Sequence, residues 1–199
     1  MLKFFLYLFP LIFFLMHSVI GDQYSMEGPP PTWRTIEKPS PHTAPILTWE
    51  PLVAQSEIEC LAKNIYFEAA MESTAGQLAV AQVTLNRVKS KHYPDSVCEV
   101  VYEGPKTAKG FPKRDRCQFS WYCDGKGDEP KNKGKLWNSI ENLSKYVLTR
   151  QTDLIDITDG ATHYHATYID TPRWATQKIV TTSIDQHIFY KKNGGFNFR

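Results

Sequence analysis

Apolar positions recur every three to four residues through the middle of the chain and every second residue near its end. The first period predicts helices and the second predicts strands. Ile58, Leu61 and Ile65 make one stripe along a predicted helix, Ser56 to Ala70. A second helix is predicted from Ala75 to Lys89, with Leu78, Ala81, Gln82, Leu85 and Val88 facing inward. Thr74 and Gln77 have the spacing of a capping box for its start. Ser96 and Glu99 repeat that spacing before a short helix, Val97 to Glu103. A third long helix, Lys131 to Arg150, carries Leu136, Trp137, Ile140, Leu143, Val147 and Leu148 on its apolar face. "ATHYHATY", Ala161 to Tyr168, alternates instead, with His163 and His165 on one face and Tyr164 and Tyr168 on the other. "KIVTTSI" and "QHIFYK" read as two more strands. Helices first and strands later predict an α+β domain with a short antiparallel sheet toward the C-terminus.

One residue breaks the first stripe. Glu68 follows Ile65 by three and so falls on the core-facing side. A carboxyl there loses hydration, which disfavours its charged form and keeps its proton on near neutral pH. That is the property a general acid needs. The plainer alternatives are rotation of Glu68 to the helix edge, or an ion pair with Lys63 or Arg87.

The ends of the chain read differently. Lys3 precedes the apolar run "FFLYLFPLIFFLM" and small residues follow near Gly21. Residues 1–21 therefore read as a secretory signal peptide, or as an uncleaved signal anchor. Residues 22–55 carry Pro29, Pro30, Pro31, Pro39, Pro41, Pro45 and Pro51. Prolines lack the amide hydrogen of regular pairing, so this is an extended linker. The expected folded domain is 56–191, with a tail at 192–199. Export, to a periplasm or cell envelope, would put the four cysteines in an oxidising compartment. Two disulfides among Cys60, Cys98, Cys117 and Cys123 are expected, with Cys98–Cys117 and Cys60–Cys123 preferred among three pairings. No cysteine pair has the close spacing of a zinc knuckle.

Composition changes little. A chain that is 42% hydrophobic and 13% aromatic can bury a real core, and a net charge of +2 is too small to imply nucleic acid. The densest basic patch, Lys106 to Arg116, lies in a Gly/Pro-rich stretch that reads as a solvated loop.

Several side chains would suit a carbohydrate cleft around Glu68. Tyr66, Phe119, Tyr164 and Trp174 offer aromatic faces for sugar rings. Gln118, Ser120, His163 and His165 offer hydrogen bonds to hydroxyl and acetamido groups. His163 is expected to face the cleft and orient Glu68 or an acetamido group without metal, its protonation setting the acid limb of activity. A rival account gives His163 and His165 to zinc, with His187 or a carboxylate as third ligand. A Ser120–His163–Asp170 triad can be written down, but no nucleophile elbow accompanies it.

The motifs "NIYFEAAMESTAGQLAVAQVTLNRV", "YPDSVCEVVYE", "CQFSW", "ATHYHA", "PRWA" and "HIFY", in that order, resemble the cell-wall hydrolases related to the spore cortex-lytic enzyme. The resemblance runs from about Cys60 to Tyr190. It implies a small lysozyme-like domain acting on peptidoglycan glycan strands, expected as a monomer with no cofactor and touching a membrane only through an uncleaved N-terminal segment. It places the family's catalytic glutamate on Glu68, and Gln118 and Ser120 in the substrate-cleft segment. One departure is that Ala70, Met71, Glu72 and Ser73 replace the usual basic-then-Gly-Glu step. Glycosidases use two carboxylates as a rule, and no second one stands out among Glu72, Glu103, Asp124, Asp128 and Asp170. A single glutamate fits a lytic transglycosylase, with simple muramidase hydrolysis as the close alternative. A zinc amidase or peptidase and a non-catalytic wall-binding module are the readings from other classes.

Overall fold

The computed structural model describes residues 52–131 and 133–194. The expected signal segment, nearly all of the proline-rich linker and most of the tail lie outside the described residues. Among the described residues four α-helices come first: α1 (Gln55–Ala69), α2 (Thr74–Lys89), α3 (Val97–Val101) and α4 (Lys135–Thr149). Three strands follow: β1 (His163–Ala166), β2 (Lys178–Ile184) and β3 (His187–Lys192). The strands form one antiparallel sheet in the order β1-β3-β2. The α+β arrangement expected from the periodicities is the one observed. Among the described residues, no helix is long and apolar enough to cross a membrane.

The α1 stripe is buried as expected at Ile58, Leu61 and Ile65. It joins Trp137, Ile140, Val147 and Leu148 of α4, together with Val97, Val100 and Val101, in the larger of two apolar clusters. Leu136, assigned to the inner face of α4, is 42% exposed. The helix begins at Lys135, four residues later than its apolar pattern predicts, because Gly134 stands at its N-cap.

Helix α2 differs most from a simple amphipathic helix. It is buried from Gly76 to Arg87 except at Leu78, since α1 lies on one side and the sheet on the other. Ala79 and Val83 meet Ala161 and Phe189 in the second apolar cluster. Its buried polar side chains hold the loop that leads into β1. The Gln82 amide donates to the Ile155 carbonyl at 2.7 Å and accepts from the Ile157 amide at 3.0 Å. Asn86 donates to Asp156, Thr158 and the Ala161 carbonyl. Burial alone would raise the Asp156 carboxyl, but hydrogen bonds from Thr158, Asn86 and Gly160 outweigh it and hold the group low.

The N-cap of α2 is Ser73, one residue before the expected Thr74, and its hydroxyl accepts from the Gly76 amide. Tertiary structure decides this. Asp185, at the β2–β3 turn with φ of 48°, accepts from the Ser73 amide at 2.9 Å and its hydroxyl at 2.6 Å. Glu72 accepts from the Gln186 amide at 3.2 Å. A Cβ on Gly76 would lie 2.5 Å from the Asp185 carboxyl, so glycine is what lets the hairpin close on the helix start. Strand β1 is shorter than its alternating pattern: it ends at Ala166, and Tyr168 lies beyond it, 77% exposed.

The preferred cysteine pairing is not the one formed. Cys60 bonds Cys98, with Cα atoms 5.2 Å apart, and Cys117 bonds Cys123, with Cα atoms 6.1 Å apart. The cause is the docking of α3 on the first half of α1, where the Glu57 carboxylate accepts from the Val97 amide at 2.7 Å. That contact places Cys98 opposite Cys60. A 3-10 turn over Ser120–Cys123 folds Cys123 back on Cys117.

Digestion without reductant should therefore yield one peptide pair linked through Cys60 and Cys98, and a second link closed within residues 117–123. A recovered Cys60–Cys123 link would contradict the fold. The Cys60→Ala/Cys98→Ala double variant should lose about 2–4 kcal/mol in denaturant unfolding.

Candidate active site

The two helices, the disulfide-closed loop and β1 enclose a groove of about 1050 Å³. Phe67, Glu68 and Arg87 come from the helices. Cys117 to Trp121 form one wall, and Tyr164, His165 and Trp174 lie on the sheet side. Asp124, Lys126, Glu129 and Lys131 give a charged rim.

Glu68 sits in the last turn of α1. It is half-buried and lines the groove. The Tyr164 hydroxyl donates to its Oε2 at 3.0 Å. Burial raises the Glu68 pKa, and the Tyr164 hydrogen bond and the nearby Arg87 charge lower it by less. The proton is thus held above the usual carboxylate range. Burial and the adjacent Glu68 charge push Tyr164 well up, so its hydroxyl stays a donor. Neither expected ion pair with Glu68 forms: Lys63 pairs with Glu59 and Glu129, and Arg87 donates to the Thr162 carbonyl.

The wall is braced from behind. The Trp121 indole nitrogen donates to Asn64 Oδ1, and the Asn64 amide donates to Thr84, both at 3.1 Å. Trp121 stacks on Phe67 with centroids 4.6 Å apart. The wall, α1 and α2 thereby become one unit beside Glu68.

Of the residues expected around Glu68, the groove gathers Gln118, Phe119, Ser120, Tyr164, His165 and Trp174. Phe119 is 2% exposed and lies under the Arg87 guanidinium, with Cζ 4.7 Å from its ring centroid. It supports the groove floor and offers no sugar-stacking face. Tyr66 turns edge-on to Phe67 and Trp137 and is not part of the lining. Trp174, 39% exposed, presents an open aromatic surface.

The histidines depart from expectation. His163 is not part of the lining. Its Nδ1 is 2.9 Å from the Thr162 hydroxyl, and its ring packs on Tyr93 and Trp174. The contact expected of His163 is made by Tyr164, on the opposite face of the strand. Burial, with the charges of Lys178, Arg87 and Lys192, lowers His163 to about 3, so its protonation cannot set an acid limb near neutrality. His165 has its Nδ1 2.9 Å from the Ala166 carbonyl and its Nε2 2.8 Å from the Tyr190 hydroxyl. Among the described residues, no group of three His, Cys, Asp or Glu is placed to hold a metal ion.

Arg87 is the groove residue that the helical pattern left unassigned. The signal was there: Val80, Thr84 and Arg87 follow i, i+4, i+7 on a buried face, so Arg87 interrupts its stripe as Glu68 interrupts the other.

Against known proteins, a family model described as Cell Wall Hydrolase matches residues 71–190, beginning just after Glu68. The spore cortex-lytic enzyme of Oceanobacillus iheyensis is 27% identical over 138 residues, 69% of this chain and 42% of that protein. That of Bacillus subtilis is 42% identical over 50 residues, 25% of this chain and 16% of that protein. The match spans less than half the length of these curated relatives. Among solved structures, the catalytic domain of the Bacillus cereus SleB protein matches with a TM-score of 0.50 and 27% identity, over 69% of this chain and 91% of that one. The catalytic domain of the germination-specific lytic transglycosylase SleB from Bacillus anthracis matches with a TM-score of 0.50 and 26% identity, over 71% and 98%.

The His163 environment predicts a stability effect. Its folded pKa lies below the ordinary 6.5, so the unfolded chain binds the extra proton first. Stability from this group is complete above pH 6.5 and is lost as pH falls toward 3. Melting temperature should drop across that window, and the drop should be shallower in His163→Gln.

Proposed function

The chain belongs to the cell wall hydrolase family, and on that premise we propose that it cleaves peptidoglycan glycan strands between N-acetylmuramic acid and N-acetylglucosamine, with Glu68 as acid and then base. The observation that carries this reading is a half-buried carboxyl, facing an open groove, whose proton is held by burial and whose orientation is fixed by a neutral tyrosine.

In the first step Glu68 gives its proton to the glycosidic oxygen. The C1–O bond breaks with its electron pair going to that oxygen. The muramic C6 hydroxyl bonds to C1, and its proton passes to the Glu68 carboxylate. The products are a free 4-hydroxyl and a 1,6-anhydro ring, and the enzyme regains its starting state. Glu68 needs to exist in both forms during one turnover. Burial favours the acid, while Tyr164 and Arg87 support the carboxylate.

The engagement of the other carboxylates that line the groove supports a single-glutamate scheme: Asp124 pairs with Lys126, and Glu129 with Lys63 and Lys133. The groove is open at its rim, and Gln118, Ser120 and Trp174, which line it, would meet sugar hydroxyls and a ring face. Two disulfides fit export to an oxidising compartment, outside the cytoplasm, where peptidoglycan lies.

Glu68→Gln keeps the side-chain size and removes the acid. Clearing of purified sacculi should fall by about 10²–10⁴-fold, with the circular dichroism spectrum unchanged. Mass spectrometry of wild-type digests should find 1,6-anhydromuramoyl ends; reducing muramoyl ends in their place would mean that water is the nucleophile.

Activity should decline on the basic side as Glu68 loses its proton. Tyr164→Phe removes a hydrogen bond that favours the ionised form. That basic limb should move to higher pH in this variant, and the rate should fall because the carboxylate is less well held.

A further inference from the structure

We propose that Arg87 is a positioning residue, a fixed buried cation that stabilises the carboxylate Glu68 becomes each time it hands its proton to the glycosidic oxygen. This rests on the acid/base reading of Glu68.

A guanidinium is charged at every relevant pH, and burying one without a partner is costly. Arg87 is 4% exposed in the last turn of α2. Its Nε donates to the Thr162 carbonyl at 2.8 Å, and its Cζ lies over the rings of Phe119 and Tyr93 at 4.7 and 5.5 Å. These contacts fix the group but do not neutralise it. Its Nη1 is buried without a hydrogen-bond partner, and among the described residues no carboxylate lies within ion-pair distance of it. The same guanidinium forms part of the wall shared with Glu68. While Glu68 carries its proton, its carboxyl offers no counter-charge to this cation. When the proton leaves, negative charge appears beside it. A fixed charge aimed at the place where charge develops lowers the barrier without reorganising during the reaction.

The other groups in this field are few. On β1, Tyr164 donates to Glu68, and His163 is held neutral by burial and by the Lys178, Arg87 and Lys192 charges. On β3, His187 packs edge-on to Tyr164, and burial lowers its pKa. Asp124, Lys126, Glu129 and Lys131 line the groove from the loop after the disulfide. Beyond α3, Glu103 competes for Arg87: its Oε2 is buried and unpartnered, and Arg87 lowers its pKa against a larger rise from burial.

The test compares wild type, Arg87→Gln, Arg87→Lys and Glu103→Gln. It uses pH–rate profiles on purified peptidoglycan and a carbon-13 titration of the Glu68 carboxyl. In Arg87→Gln, kcat should fall by about 10²-fold with little change in KM. The basic limb and the Glu68 titration should both move to higher pH. Arg87→Lys should recover much of the rate and the wild-type limb. Glu103→Gln leaves Arg87 undivided, so the limb should hold or move down. The inference is overturned if Arg87→Gln leaves limb and titration in place, or raises KM with kcat intact, which would make Arg87 a substrate anchor. An upward shift in Glu103→Gln also overturns it, as does failure of both Arg87 variants to fold, which would assign the guanidinium to the core. Wild-type protein that leaves sacculi uncut defeats the functional reading itself, whereas an active wild type with an unmoved Arg87→Gln profile defeats only this inference.

Discussion

The hydrogen bond from Tyr164 to Glu68 joins the helical half of the domain to its sheet, and it can exist only if both halves are held within hydrogen-bonding distance. The Glu68 carboxyl is displaced from water at the end of α1, and Tyr164 reaches it from β1, 96 residues later in the chain. Much of the surrounding architecture keeps these two groups in register. The break between α1 and α2 is latched to the β2–β3 turn through Ser73, Glu72 and Asp185. The entry to β1 is pinned to α2 through Gln82, Asn86 and Arg87.

This arrangement explains why the interior is so polar. Helix α2 is the central element, and three of its buried side chains serve as backbone partners for the loop that precedes β1. Buried amides of that kind are costly if unpaired and rigidifying when paired. A purely apolar α2 would pack on its neighbours but would not fix the height of β1 relative to α1. The departure from the basic-then-Gly-Glu step falls on Ala70 and Met71, the latter 93% exposed, while Glu72 and Ser73 beside them grip the hairpin.

The groove wall solves a different problem. Residues 117–123 have little regular structure beyond one 3-10 turn, yet they face the groove with Gln118 and Ser120. Closure by Cys117–Cys123, together with the Trp121–Asn64–Thr84 chain of hydrogen bonds, holds this irregular segment against α1. A wall made this way stays rigid while leaving the groove open at its rim.

The sequence by itself determined the elements and singled out Glu68. A carboxylate on an apolar stripe is legible because helical period is a local property, and the strands were legible because alternation is local too. What it left open depended on contacts far apart in the chain. The α2 cap moved to Ser73 because Asp185 reaches it, and the cysteines paired as they did because α3 docks on α1. Tyr164 rather than His163 meets Glu68 because alternation says which residues share a face but not which face turns to the helices. Arg87 was legible only as a possible ion-pair partner of Glu68, because it lies off the face of α2 that the apolar pattern marks as inner. Only the tertiary structure separates a polar side chain that satisfies a loop from a charge left without an ion pair in the groove that Glu68 lines, since the two differ in what surrounds them and not in where they stand along the helix.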